Sequence, residues 1–157
     1  MDVIAFLARA IRVGMSFLLG STGETLTEKS GHLNLGIPGI MCVGAAGGCA
    51  AEAIYVEACG GINNVNPFVC ILVAIFSAFI CGGLMGIVYS FLTVSLRANQ
   101  NVTGLALTTL GTGVSSYMIA QVNAASFSAT SKFFTTPMPF AQNLGNFGKL
   151  FLSHGVL

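Results

Sequence analysis

Charge is what this sequence has least of. Only 7% of its 157 residues are Asp, Glu, Lys or Arg, against about 25% in an ordinary soluble domain. So few charges could not clothe a water-facing globule, and the composition points to a surface that faces lipid. The net charge of +1, with no cluster of Lys and Arg, excludes a nucleic-acid-binding face. Tryptophan is absent while glycine occurs 20 times. That balance suits closely packed membrane helices, where small residues let backbones approach.

The five cysteines, Cys42, Cys49, Cys59, Cys70 and Cys81, form no CxxC pair and show no metal-ligand spacing. Most lie in or against apolar runs, where cysteine behaves as a small hydrophobe. A zinc site and a disulfide framework are both disfavoured. The N-terminus lacks a signal-peptide pattern, because Arg9 and Arg12 fall inside the apolar stretch rather than ahead of it.

Long charge-free runs take the place of charge. There is no charged residue from Ala58 to Leu96 and none from Ala98 to Ser131. The heart of the first run, residues 68–96, exceeds the roughly 20 apolar residues that cross a bilayer. Residues 101–122 are also of spanning length but are flecked with Thr, Ser and Gly, which suits a helix packed against others more than one facing lipid. A shorter span covers 35–51, with its regular helix starting at about Ile37, because Pro38 is tolerated in a first turn. Residues 3–20 form a fourth candidate, either an amphipathic interfacial helix or a span with a charged end. Three embedded helices are expected, centred near residues 45, 82 and 111, with the first 20 residues helical as well. Residues 55–67 and 123–149 read as connectors, and 150–157 as the start of another apolar segment. Arg97 is the only cation between the two best spans. The positive-inside bias then places Arg97 and Lys29 in the cytoplasm and the two connectors outside.

Catalytic patterns are weak. Glu28 and His32 are four apart but do not make H-E-x-x-H. Ser30 has neither an acid partner nor a nucleophile elbow, and His154 stands alone. Glycines carry more information. Gly44 and Gly48, Gly82 and Gly86, and Gly111 with Ser115 repeat a small-xxx-small spacing that opens a flat strip for helix packing. The amides Asn34, Asn99, Gln100 and Asn101, with Thr103, sit at the ends of apolar spans. They could bond a neutral polar solute without burying an ion, or they could cap helices, with Asn101 as the candidate cap before "VTGLAL".

Two stretches together resemble one family. "EKSGHLNLGIPGIMCVGA" (28–45) is similar to the signature of permease subunits of ABC importers in the branched-chain amino acid and simple-sugar group. The matching residues are Glu28, Ser30, Gly31, Asn34, Gly36, Gly39, Met41 and Gly44. "SLRANQNVTGLALTTLGTG" (95–113) resembles that family's second stretch through Arg97, Ala98, Asn99, Gln100, Val102, Gly104, Leu105, Ala106 and Leu107. The likeness is strongest to permeases that work with basic-membrane-lipoprotein-type receptors and carry nucleosides. Pro38 departs from the acidic residue common at its position, and Thr103 from serine.

The resemblance implies an all-α, polytopic transmembrane helical bundle. Residues 1–157 would form a single transmembrane domain matching the N-terminal half of the permease, in the cell membrane. It implies that the chain is no enzyme and binds no cofactor itself, with ATP used by a separate cytoplasmic subunit. A second permease subunit and an extracytoplasmic substrate-binding lipoprotein would be the other partners. The glycine-broken stretch 31–39 would let a central helix begin inside the bundle, placing Gly36, Gly39 and Gly104 beside the translocation path with Asn34, Asn99, Gln100, Asn101 and Thr103. The rival from the residues alone is a small homo-oligomeric channel or structural membrane protein.

Overall fold

The computed structural model of the chain describes residues 3–122 and residue 130. Among the described residues the chain is helical, with no strand. Helix α1 spans Val3–Lys29, α2 Ile37–Ala58, α3 Pro67–Ser90 and α4 Gln100–Ala120. A π-helical stretch, Phe91–Ser95, prolongs α3, and a single 3₁₀ turn, Ile62–Asn64, lies between α2 and α3. The expected connector 123–149 and the final apolar segment fall outside the described residues, residue 130 excepted.

Each boundary has a local cause. Helix α1 runs on past residue 20 to Lys29, because the hydroxyls of Ser21, Thr22, Thr25 and Thr27 bond back to carbonyls of their own helix. It stops at Gly31, whose φ of +85° is open to glycine at little steric cost. Helix α2 begins at Ile37 with Pro38 in its first turn, where the missing N–H has no helical partner to lose. It continues to Ala58, past the expected end at residue 51, so residues 55–58 belong to the helix rather than to the connector. Gly60 and Gly61, at φ +74° and +122°, then turn the chain. Asn66 caps α3, its side chain accepting from the Phe68 amide at 3.1 Å.

Helix α2 is the centre of the bundle. It packs along α3 and, near its start, across α4, while α3 and α4 barely meet and α1 makes a smaller contact with α2. Two helices among the described residues are long and apolar enough to cross a membrane, Ile37–Ala58 and Pro67–Ser95. Helix α4 is too polar to count with them, although its 21 residues would reach about 31 Å at ~1.5 Å per residue. Its hydroxyls are locally satisfied: Thr109, Thr112, Ser115 and Ser116 all bond carbonyls one turn back. Large apolar side chains crowd the outside, Phe79 at 81% exposure and Phe76 at 70%. In water that surface would be a liability; in lipid it is the proper solvent.

Candidate functional site

The non-helical segment between α1 and α2 is tied down by side chains from two other helices. Backbone groups that leave a helix inside the protein must find partners there. Leu33 N–H donates to Gln100 Oε1 at 2.8 Å. The Tyr89 hydroxyl donates to Leu33 O at 2.6 Å. Thr108 Oγ1 donates to Leu35 O at 2.8 Å. Asn34 is buried, at 5% exposure, and its Oδ1 accepts from Gly36 N–H at 2.9 Å, closing a tight turn just ahead of α2. Thus α3 supplies one group and α4 two, and Asn34 supplies the fourth bond locally.

Gln100 makes a second contact that fixes a tautomer. Its Oε1 is committed to the Leu33 N–H, so its Nε2 faces His32 Nδ1 at 2.9 Å. An amide NH₂ only donates, so Nδ1 accepts and the proton of the neutral imidazole sits on Nε2.

Glycines set how closely the helices cross. A Cβ built on Gly39 would stand 2.5 Å from Leu107 O and 2.6 Å from Thr108 Cα. One built on Gly111 would stand 2.5 Å from Gly39 O. Backbone therefore meets backbone where α2 crosses α4. Gly104 is pressed against Leu35 and Gly36 in the same way, with a built Cβ 2.9 Å from Leu35 Cβ and 3.0 Å from Gly36 N. On the other side of α2, a Cβ built on Gly44 or Gly48 would stand 3.2 Å from Ala78 O or 3.1 Å from Ala74 O, and Gly47 lies against the Cys81 side chain. The Ser77 hydroxyl donates to Gly47 O at 2.9 Å.

Several residues occupy places that their type did not reveal. Gly82 stands near Gly44, a built Cβ making ordinary van der Waals contact with it, but among the described residues nothing lies within 4 Å of a Cβ built on Gly86. The expectation of a close helix at Gly86 is therefore corrected. Helices α2 and α3 run antiparallel, and the strip on α3 proceeds from Gly82 to Ala78 and Ala74, away from Gly86. Asn101 is not the cap of α4. Asn99 is, its Oδ1 accepting from Asn101 N–H at 3.0 Å and Val102 N–H at 3.3 Å. Asn101 is exposed in the first turn. Ser115 is buried and bonds within its own helix. Thr103 is buried and faces a groove of about 310 Å³ with Val88, Leu92, Leu107 and Leu110. The groove is otherwise apolar, and the amides do not converge on it.

Tyr89, Thr108 and Glu52 are the polar residues that the sequence reading overlooked, and His32, weighed there only as a catalytic partner of Glu28, proves to be a partner of Gln100. Tyr89 is a lone phenol in an apolar run, and a buried phenol seeks a partner. Glu52 lies one residue beyond the expected end of its span, and the helix continues through it.

The bundle is thus hydrophobic outside, crossed tightly at glycines, and interrupted by a hydrogen-bonded break before its central helix. The chain belongs to the family described as the branched-chain amino acid transport system permease component, whose profile matches residues 6–155. That family comprises transport permeases of the plasma membrane and not enzymes.

Curated relatives agree. The chain is 34% identical over 107 residues to the putative glucose ABC transporter permease protein TsgC13 of Haloferax volcanii, an alignment covering 68% of this chain and 29% of that protein. It is 23% identical over 159 residues to the guanosine ABC transporter permease protein NupQ of Bacillus subtilis, covering 98% of this chain and 48% of the relative. It is 28% identical over 99 residues to the nucleoside ABC transporter permease protein NupC of Lactococcus lactis, covering 63% and 29%. The chain thus spans no more than about half the length of these relatives. No solved structure matches it.

Proposed function

We propose that this chain forms the N-terminal half of an ABC importer permease for a nucleoside. The observation that carries the reading is the break at 31–36. It is held wholly by neutral groups, namely Tyr89, Gln100, Thr108 and Asn34, at the place where three helices come together. A nucleoside is uncharged but rich in donors and acceptors, so a path lined by amides, hydroxyls and exposed peptide groups suits it. Fixed charges there would hold counter-ions. The match to the guanosine permease along 98% of the chain supports the same cargo.

Asn34, Gly36, Gly39, Asn99, Gln100, Asn101, Thr103 and Gly104 border the path in this reading. Gly36, Gly39 and Gly104 shape it by bringing backbones together. Asn34, Asn99 and Gln100 hold its walls, and the exposed side chain of Asn101 is the one free to meet solute. Partners follow from the same reading: a second permease subunit, a cytoplasmic ATP-binding subunit that drives the cycle, and a substrate-binding lipoprotein outside, docking near 123–149. Arg97 would then face the cytoplasm.

The test is uptake of labelled guanosine and adenosine in cells carrying the whole transporter. Uptake is expected, and it should fall in the Asn34→Ala/Asn101→Ala double variant at matched membrane levels. A sugar cargo is the second reading, favoured by the 34% identity to the putative glucose permease. Uptake of glucose with none of any nucleoside would select it.

A further inference from the structure

We propose that Glu52 is a proton-binding site inside the bundle, occupied by a proton whenever α2 and α3 are packed together. Glu52 continues the stripe that α2 turns toward α3. Gly44 and Gly48 precede it at intervals of four residues and Val56 follows at the same interval. On α3 the opposing strip passes Gly82, Ala78 and Ala74 and leads to Cys70, which is buried in one cluster with Val56. Glu52 is therefore aimed at the helix junction and not at solvent. It is 4% exposed, and its Oε1 is buried with no hydrogen-bond partner. The carboxyl does share a hydrogen bond with the Thr130 side chain.

Among the described residues no cation lies beside Glu52, and Lys132, two positions along the chain from Thr130, falls outside them. The titratable groups that act on Glu52, or are acted on by it, are Cys49 on α2 and Cys70 on α3. Tyr55 and Cys59 pack against the cluster of Val56, Val65 and Cys70. Helix α4 has no charged residue. Helix α1 meets α2 at Ile37 and Met41, at the opposite end. A desolvated carboxylate without a counter-charge is far more costly than a neutral acid with one unmet oxygen. Taking up one proton from water converts the first into the second, with no other bond changed. A proton also needs no cavity.

The consequence is a sense of direction. Ionising Glu52 favours any arrangement in which that end of α2 separates from α3 and admits water, so alkaline conditions weaken the packed state. The proposal requires only the permease fold and is independent of the cargo.

The experiment uses the purified whole transporter in detergent. Infrared spectroscopy at neutral pH should show a protonated-carboxyl C=O band that is lost in Glu52→Gln. Glu52→Gln and Glu52→Leu should both assemble, and Glu52→Gln should lose the fall in thermal stability that the wild type shows as pH is raised. An identical band in wild type and Glu52→Gln would show that Glu52 is ionised and overturn the proposal. So would failure of both neutral variants to assemble, since that would mean the negative charge itself is needed.

Discussion

Replacing Gly111 with alanine adds a single methyl group at the tightest place in the bundle. That methyl would stand 2.5 Å from Gly39 O and 2.7 Å from Gly39 Cα. Carbon atoms rest at about 3.5–4.0 Å, so the two helices must part by roughly 1 Å. Both near neighbours are backbone, so no rotamer can move out of the way. Overpacking of this kind typically costs about 1–3 kcal/mol. A parted crossing would also lengthen the Thr108 bond to Leu35 O, now 2.8 Å, which adds about 0.5–1.5 kcal/mol if it breaks.

Gly86→Ala is the matched control, because no described residue lies within 4 Å of its built Cβ. Thermal stability of the whole permease in detergent, followed by loss of monodisperse protein on heating, reads the difference. Gly111→Ala and Gly39→Ala should each unfold well below wild type, and Gly86→Ala within error of it. The double variant should cost less than the two singles together, since one separation of α2 from α4 makes room for both methyls. If Gly111→Ala and Gly86→Ala were equally stable, the backbone crossing of α2 and α4 would be wrong.

Tyr89→Phe removes only the hydroxyl that holds Leu33 O; it should lower maximal uptake of the transported solute several-fold at normal membrane levels, checked by transport kinetics beside quantitative blots. Asn99→Ala should destabilise the start of α4 by about 1 kcal/mol, with Asn99→Asp and Asn99→Ser retaining most of the cap, as measured by thermal unfolding. Asn101→Ala should leave that stability unchanged and raise the apparent Km for uptake.

Helix positions were legible wherever one residue type carries one consequence. Pro38 and the glycines before it mark the start of α2, and the charge-free run after Pro67 marks α3. The end of α2 was not legible. Glu52 looks like a boundary to any reading that counts charge, and its burial depends on α3 lying alongside. The strip on α3 was half legible. Small residues four apart announce a packing face, but Gly82 pairs with Gly86 in one direction and with Ala78 in the other. Only the antiparallel pairing with Gly44 and Gly48 decides between them. The amides were the least legible. An asparagine at a helix end serves a solute or its own backbone with the same atoms, and Asn34 and Asn99 put an oxygen to the second use.

Those backbone bonds have a mechanical consequence. Helices α3 and α4 make little direct contact, yet both grip Leu33, α3 through Tyr89 at its carbonyl and α4 through Gln100 at its amide. The break before α2 is therefore the polar link between them. Tyr89 also anchors the π-helical stretch, since its carbonyl accepts from the Thr93 hydroxyl at 2.9 Å. Just beyond, Arg97 has a φ of 51°, a left-handed conformation that disfavours a side chain. Unwound helix and a strained turn tend to mark places where a chain can bend. Swinging α4 about that turn, relative to α3, must either carry Leu33 along or break one of its two bonds. Carrying Leu33 along shifts Asn34 and Gly36 and hence the start of the central helix. Leucine itself brings no polar group, so its backbone alone transmits the movement, and removing the Tyr89 hydroxyl should uncouple α3 while leaving the Gln100 clamp on α4 intact.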